Sequence, residues 1–302
     1  MNQKYTNFLK AILFYTILVI LWGAWVRISH SGNGCGESWP LCHGQVIPEA
    51  ATGKTWIELS HRAMSGLFGI LILFLYLWSR QIFAKNTYAR KWAFWSLFFT
   101  ITEALLGAKL VLFGLVTDND SPFRAVIMGL HFINSVFLVL SIYCAYYFSK
   151  STNWTFLIEF KKYQKASRWA LFGFLLIGMT GAIAALSNTL FPTSHLLEGL
   201  TKDFSADSHY LLKLRILHPI FATLISASLF FALRLWSEQL QGYGKKTVQQ
   251  LSGLILFAIL FGFLTLFSLS PVWMKLTHLT IAHTFWIMMI RAILHNSYQK
   301  SR

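Results

Sequence analysis

The chain has 302 residues, of which 55% are hydrophobic and only 12% are charged, and its formal net charge is +15. A soluble domain carries about a quarter charged residues, so this composition excludes that class and indicates an integral membrane protein in a lipid bilayer. The basic residues fall in short clusters between long apolar runs, which argues against a nucleic-acid-binding face and predicts topology signals instead.

Runs of about 20 apolar residues predict eight transmembrane helices, and therefore an all-α integral membrane protein. In chain order, the predicted spans are Phe8 to Ile28, Ile57 to Trp78, Ala93 to Val116, Ala125 to Phe148, Trp169 to Leu190, Leu211 to Trp236, Leu251 to Leu269 and Val272 to Leu294. An even number of spans leaves both termini on one side. Most of the 26 basic residues then share that side with the termini, so the positive-inside rule predicts cytoplasmic termini and a multi-pass cell-membrane protein.

The predicted helices form two similar sets of four. Long outer loops, at about 29 to 56 and 191 to 210, follow the first helix of each set. This pattern predicts two pseudo-symmetric four-helix bundles, residues 1–150 and 151–302.

Cysteine is rare in the chain, with 3 residues in total. Cys35 and Cys42 lie in the first outer loop and Cys144 lies inside an apolar run, which is too few cysteine ligands for a tetrahedral zinc or iron–sulfur site. The outer location allows a disulfide between Cys35 and Cys42. Two free thiols remain the alternative, since their spacing permits a bridge without requiring one.

Four histidines share a position that the other histidines lack. Each lies on an even-numbered predicted helix, roughly 6 to 10 Å below the outer boundary at about 1.5 Å per residue. A single intramembrane histidine commonly bonds to a neighbouring helix, whereas facing pairs at equal depth are typical of bis-histidine haem sites. The pattern predicts one haem in each half, with the iron ligands His61, His131, His218 and His278. His283, about 140° round the last helix from His278, is the alternative ligand there.

The two halves differ in charge beside these histidines. Glu58 lies one turn outward of His61 on the same helix face, while Arg215 occupies the matching position in the second half. The asymmetry predicts that the first half performs chemistry and that the second holds a fixed cofactor. Alternatively, Glu58 pairs with Arg62 and anchors the helix end. Two further intramembrane charges, which could pair with each other or with a haem propionate, are Glu103 and Lys109.

Several short motifs surround these residues. They are Trp39-Pro40-Leu41-Cys42, Glu58-Leu59-Ser60-His61-Arg62, Leu217-His218-Pro219 and Thr277-His278-Leu279. Together they resemble the heme A synthase family, which carries a Glu-x-x-His-Arg motif and a cysteine-flanked outer loop. The resemblance extends over the whole chain.

The resemblance implies oxidation of a ring methyl of heme O to a formyl group, through a hydroxylated intermediate. It implies heme O bound by His61 and His131, catalysis by Glu58, an electron-carrying heme b bound by His218 and His278, and a disulfide between Cys35 and Cys42. The implied partners are heme O synthase and cytochrome c oxidase assembly, with the electron acceptor left open. A diheme b-type electron-transfer cytochrome would explain the four histidines but not a carboxylate in one half only. A haem or small-molecule transporter is the third interpretation, supported only by Pro219.

Overall fold

The computed structural model describes residues 2–151, 154–156 and 164–300, and 8 of its helices are long and apolar enough to cross a membrane. The predicted all-α membrane fold is confirmed. The helices are α1 Gln3–Ile28, α2 Gly53–Ile82, α3 Tyr88–Leu112, α4 Pro122–Phe148, α5 Gln164–Leu190, α6 Leu196–Phe204, α7 Tyr210–Arg215, α8 Leu217–Glu238, α9 Gly242–Phe267 and α10 Val272–Ser297. A short antiparallel ribbon pairs β1, Trp154–Phe156, with β2, Tyr298–Lys300.

The chain divides into two compact units, Met1–Thr152 and Asn153–Arg302, called unit 1 and unit 2 below. In unit 1, each of the four helices packs against the next and α1 packs against α4, which closes a four-helix bundle. In unit 2, α8 packs against α5 and α9, and α9 packs against α10. Phe174 of α5 stacks on Trp286 of α10 at a centroid distance of 4.6 Å, which completes the ring. The pseudo-symmetry and the separate roles of 1–150 and 151–302 remain predictions.

Local signals explain where the helices of unit 1 begin. Thr52 and Thr55 form a reciprocal capping box that starts α2, directly before the site residues. The Ser121 side chain accepts the backbone N–H of Arg124 at the start of α4, where Pro122 occupies the first turn. At the end of the bundle where α1 begins, called the inner end below after the predicted orientation, the hydroxyls of Thr6 and Ser149 lie 3.1 Å apart and join α1 to α4. The start of α1 therefore lies beside the end of α4, and the two helices run antiparallel.

Unit 2 departs from the predicted spans in two places. The predicted sixth span is divided into α7 and α8 at Ile216. Pro219 has no backbone N–H to bond the carbonyl of Arg215, so the helical ladder breaks one turn before it. The second outer loop also contains α6, for which the sequence predicted only a loop. The ribbon of β1 and β2 was not predicted, and part of the predicted connection between the halves lies outside the described residues.

Candidate functional site

The two predicted ligands of unit 2 face each other. The ring centroids of His218 and His278 are 6.4 Å apart and their planes cross at 78°. An imidazole nitrogen binds a transition metal at about 2.0 Å, so two rings on opposite sides of one iron have centroids roughly 6.3 Å apart. The observed spacing therefore fits a bis-histidine haem, whose porphyrin supplies the remaining ligands.

The orientation of His218 suits this role. Its Nδ1 atom lies 3.1 Å from the carbonyl oxygen of Ile177 in α5. Because a carbonyl only accepts hydrogen bonds, Nδ1 carries the proton and Nε2 keeps the lone pair that binds a metal. A backbone partner of this kind fixes the ring orientation of a metal-ligating histidine.

His283 has different surroundings. It is 2% exposed, and its Nδ1 atom lies 2.9 Å from the carbonyl oxygen of Leu279, one turn away in its own helix. The ring that faces His218 belongs to His278. Which histidine of α10 binds iron stays a prediction.

Glycines lie opposite both histidines of unit 2. A Cβ atom added to Gly181 in α5 would lie 3.0 Å from Cε1 of His218, and one added to Gly262 in α9 would lie 3.1 Å from Cε1 of His278. Small residues let helix backbones approach closely in membrane proteins. The imidazoles therefore pack directly against the neighbouring backbones.

The same arrangement occurs in unit 1. A Cβ added to Gly23 in α1 would lie 3.0 Å from Cε1 of His61, and one added to Gly107 in α3 would lie 4.0 Å from Cε1 of His131. The glycine opposite each histidine was not predicted. The available signal was that the helix preceding each histidine-bearing helix has a glycine at a similar depth, although α5 and α9 contain further glycines.

His131 has an acidic partner that the sequence did not identify. Its Nδ1 atom lies 3.2 Å from Oε1 of Glu103, a distance that suits an ion pair, although the N–H geometry falls short of a hydrogen bond. Asn134 donates to Oε2 of Glu103 at 2.5 Å and accepts from the hydroxyl of Thr102 at 2.6 Å. Glu103 is thus held beside the imidazole by the polar residues of α3 and α4.

Lys109 lies apart from this network. Its ammonium group is 5.2 Å from the ring centroid of Phe123 and 5.8 Å from that of Phe113, which are cation–π distances. Among the described residues, Glu103 therefore contacts His131 and Lys109 contacts aromatic rings, and the two charges do not pair with each other.

Both carboxylate oxygens of Glu58 accept bonds from the protein. Oε1 accepts from Arg62 Nη2 at 2.6 Å and Oε2 accepts from the backbone N–H of Cys35 at 2.8 Å, and the residue is 3% exposed. The Arg62 side chain also reaches the outer loop, where its Nη1 atom donates to the carbonyls of Ser38 and Leu41 at 2.7 and 2.5 Å. Glu58 therefore lies one turn outward of His61, as predicted, and also makes the anchoring contact named as its alternative role.

The outer loop of unit 1 contains the predicted disulfide, between Cys35 and Cys42, and both residues are fully buried. The backbone of Cys42 also pairs with Gln45 in an isolated bridge. Cys144 is a free buried thiol in α4. With Glu58 bonded to Cys35, the disulfide-closed loop is attached to the outer end of α2.

Arg215, at the position that matches Glu58, makes a different set of contacts. Its Nε atom donates to Oδ1 of Asp203 in α6 at 2.6 Å, and Nη1 donates to Asn188 at 3.1 Å. Burial raises the pKa of Asp203, while the Arg215 guanidinium opposes that rise. In unit 2, the bond between Arg215 and Asp203 therefore links α7 to α6.

A family model matches almost the whole chain. The COX15-CtaA model, described as cytochrome oxidase assembly protein, matches residues 6–290. The chain belongs to this family. The matched region includes all four site histidines, Glu58 and the disulfide loop, so both units of this COX15-CtaA family member take part in the match.

Individual relatives support the assignment over different lengths. A protoheme IX farnesyltransferase of Thermus thermophilus is 36% identical over 289 residues, which is 95% of this chain and 48% of that protein. A heme A synthase of Exiguobacterium sibiricum is 38% identical over 132 residues, 44% of this chain and 42% of its own length. A heme A synthase of Shouchella clausii is 41% identical over 116 residues, 38% of this chain and 36% of its own length. The match thus spans less than half the length of each relative.

Proposed function

We propose that this protein is a heme A synthase, which oxidises a ring methyl of heme O to a formyl group through a hydroxylated intermediate. The observation that carries the proposal is the facing pair His218 and His278, whose 6.4 Å centroid separation fits a single iron. Membership of the COX15-CtaA family and the names of two relatives support the same activity.

The proposed roles divide between the units. In unit 2, His218 and His278 bind a heme b, which supplies one-electron transfer when bound. In unit 1, His61 and His131 bind heme O as substrate. Glu103 supports the second site because a carboxylate beside a ligating imidazole orients the ring and raises its basicity.

Glu58 is the proposed catalytic carboxylate of unit 1. A fixed negative charge at the outer edge of the substrate stabilises positive charge that develops at the oxidised carbon, most strongly where water is excluded. The bonds from Arg62 and Cys35 hold the carboxylate in one position, which is the preorganisation that such a role requires. In the competing role, Glu58 only attaches the outer loop to α2. The two roles predict different production of heme A by the Glu58→Gln variant.

A diheme b-type electron-transfer cytochrome is the second candidate, because paired histidines serve that function equally well. The asymmetry between Glu58 in unit 1 and Arg215 in unit 2 favours the synthase, since a relay needs no carboxylate in one half only. The farnesyltransferase name belongs to a relative of which this chain matches 48%.

The proposal includes a location and partners. Eight spans and the basic residues on the side of the termini support a cell-membrane protein with both termini in the cytoplasm. The Thermus relative bears the name of an enzyme that farnesylates protoheme IX, which supports association with heme O synthase. We propose cytochrome c oxidase assembly as the pathway served, in keeping with the description of the family.

Co-expression with a heme O synthase tests the function, in a host that makes no heme A of its own. Haems extracted from membranes and from the purified protein are identified by mass. Heme A in the membranes, with heme b in the protein, is the expected result. Two heme b per chain and no heme A would identify an electron relay instead. The His61→Leu variant is the control, because it removes a substrate ligand and leaves both ligands of unit 2 in place.

A further inference from the structure

Arg27 is a partly buried arginine whose positive charge the described residues do not neutralise. Its Nη1 atom is buried and has no hydrogen-bond partner, and the residue makes no ion pair within the described ranges. Leaving a buried guanidinium nitrogen unpaired is costly, because the desolvation of a charged donor is then uncompensated. A position of this kind is suited to an anionic ligand.

The depth of Arg27 can be measured along α1. Thr6 and Ser149 mark a common inner level, since their hydroxyls lie 3.1 Å apart. At about 1.5 Å per residue, Gly23 lies roughly 26 Å outward of Thr6, and His131 lies roughly 27 Å outward of Ser149. Because Gly23 faces His61, both histidines lie near this level. Arg27 lies one helical turn further out.

Arg27 also lies on the face of α1 that packs against His61. Residues four apart on a helix share a face, so its side chain emerges above Gly23, on the side of α1 that His61 approaches. It therefore lies above the space between the two predicted substrate ligands.

Arg124 of α4 reaches the same region. It is seven residues, or about two turns, outward of His131 on the same helix face. Arg124 is 3% exposed, and its Nη1 atom donates to the carbonyls of Thr117 and Asn119 at 2.7 and 2.5 Å, which fixes the guanidinium. Because α1 packs against α4, the charges of Arg27 and Arg124 are close enough to repel each other. An anion bound between them would relieve that repulsion.

Unit 2 lacks this pair of arginines. The position four residues beyond Gly181 is Ala185, and the position seven residues before His278 is Pro271. The arginine that unit 2 has at its outer end, Arg215, is already bonded to Asp203. The feature is therefore specific to the unit that the proposed function assigns to the substrate.

We propose that Arg27, together with Arg124, binds the propionate carboxylates of the tetrapyrrole held between His61 and His131. This inference rests on the proposed function, because it assumes that unit 1 binds haem. Propionates leave one edge of the ring, and the two arginines lie outward of the ligands by one and two turns, about 5 and 11 Å. Guanidinium groups bind carboxylates with directed, charge-assisted hydrogen bonds. The arginines would therefore fix which edge of the substrate faces outward, and so which ring methyl reaches the reacting position.

Titration of the purified full-length protein with two probes tests the proposal. The probes are iron protoporphyrin IX with free propionates and its dimethyl ester, and binding is followed by the Soret band. The part of the binding that His61→Leu removes is assigned to unit 1. Wild-type protein is expected to bind the free acid about tenfold more tightly than the ester, as one charged hydrogen bond predicts. Arg27→Gln should remove this preference and leave ester binding unchanged.

Two further variants complete the experiment. Arg27→Lys keeps the charge and should retain part of the preference. Arg80→Gln removes one positive charge at the inner end of α2 and should behave as wild type. Equal weakening of acid and ester in Arg27→Gln, or no change in either, would overturn the proposal, because the residue would then not recognise a carboxylate. If His61→Leu removes no binding from the wild-type protein, the assignment of haem to unit 1 is wrong and the propionate site fails with it.

Discussion

Gly23 and His61 face each other across the contact between α1 and α2, and a Cβ atom at Gly23 would lie 3.0 Å from Cε1 of the imidazole. The neighbour that would have to move is a proposed iron ligand with little freedom to move. Gly181 and His218 repeat this relationship in unit 2 at the same 3.0 Å. In both units, the position of a ligand therefore depends on the absence of one carbon atom from the facing helix.

Alanine at Gly181 should lower the occupancy of the unit 2 haem. The added methyl displaces His218, and overpacking of this kind costs about 1 to 3 kcal/mol. Alanine also favours a helix over glycine by about 1 kcal/mol, so propensity alone would increase stability. The measurement is haem per chain and the visible spectrum. Gly253→Ala in α9 is the matched control, because an added Cβ there contacts nothing within 4 Å. Equal spectra for the two variants would show that the glycine does not position the ligand.

Replacement of His278 by leucine should abolish the spectrum of the stably bound haem, and replacement of His218 should do the same. His283→Leu should leave that spectrum intact, because its ring bonds to its own helix rather than facing His218. Pyridine haemochrome assays and low-temperature visible spectra measure the difference. The ligand assignment in α10 fails if His283→Leu loses the haem and His278→Leu keeps it.

Replacement of Glu103 by glutamine should weaken haem binding in unit 1 by about 10- to 100-fold, the usual effect of losing a partner of a ligating histidine. The amide keeps the shape and can still contact Asn134, but it removes the charge beside His131. Haem titration measures the affinity. Lys109→Gln removes an intramembrane charge that lies over aromatic rings, so it should have no such effect. A similar loss in both variants would mean that net charge, and not the contact with His131, governs binding.

Loss of the disulfide should destabilise the outer loop of unit 1. Cys35 and Cys42 close a short loop, for which the unfolded-state model gives about 2 to 3 kcal/mol. The double Cys→Ser variant should unfold at a lower temperature and be cleaved sooner by protease in this loop. Ser replacement of Cys144, a buried free thiol, is the comparison, since it closes no loop. Alkylation of both outer thiols in unfolded, unreduced wild-type protein would contradict the bridge itself.

Glu58→Gln separates chemistry from attachment of the loop. The amide keeps the shape of the side chain, so the variant should fold and bind haem through His61 and His131. If the carboxylate is catalytic, the variant produces no heme A and accumulates heme O or a hydroxylated intermediate, which mass analysis of extracted haems detects. Production of heme A at the wild-type rate would show that Glu58 serves only to bind Arg62 and Cys35.

Loss of haem in the same variant would instead assign Glu58 to binding or assembly, and the catalytic proposal would be withdrawn. Thermal unfolding of the variant distinguishes this outcome from general instability. The double Cys→Ser variant is a useful comparison, because it loosens the same loop without changing the carboxylate.

The amino-acid sequence by itself determined the membrane class, the eight apolar spans and the two outer-loop cysteines that a bridge could join, and the structure decided that Cys35 and Cys42 form it. The length and spacing of apolar runs are local properties of the sequence. Because backbone N–H and C=O groups in lipid must be hydrogen-bonded within the segment, runs of this length form helices. The common depth of four histidines could likewise be counted along each helix.

Only the tertiary structure decided which side chains meet across helices. The partners of Glu103 and the glycine facing each imidazole depend on how neighbouring helices rotate and pack. No helix specifies that rotation alone, because apolar faces in a membrane offer little contrast between inside and outside. The proximity of Arg27 to Arg124 has the same origin. Arg27 and Arg124 are 97 positions apart in the chain, and they come together because α1 and α4 pack in one bundle.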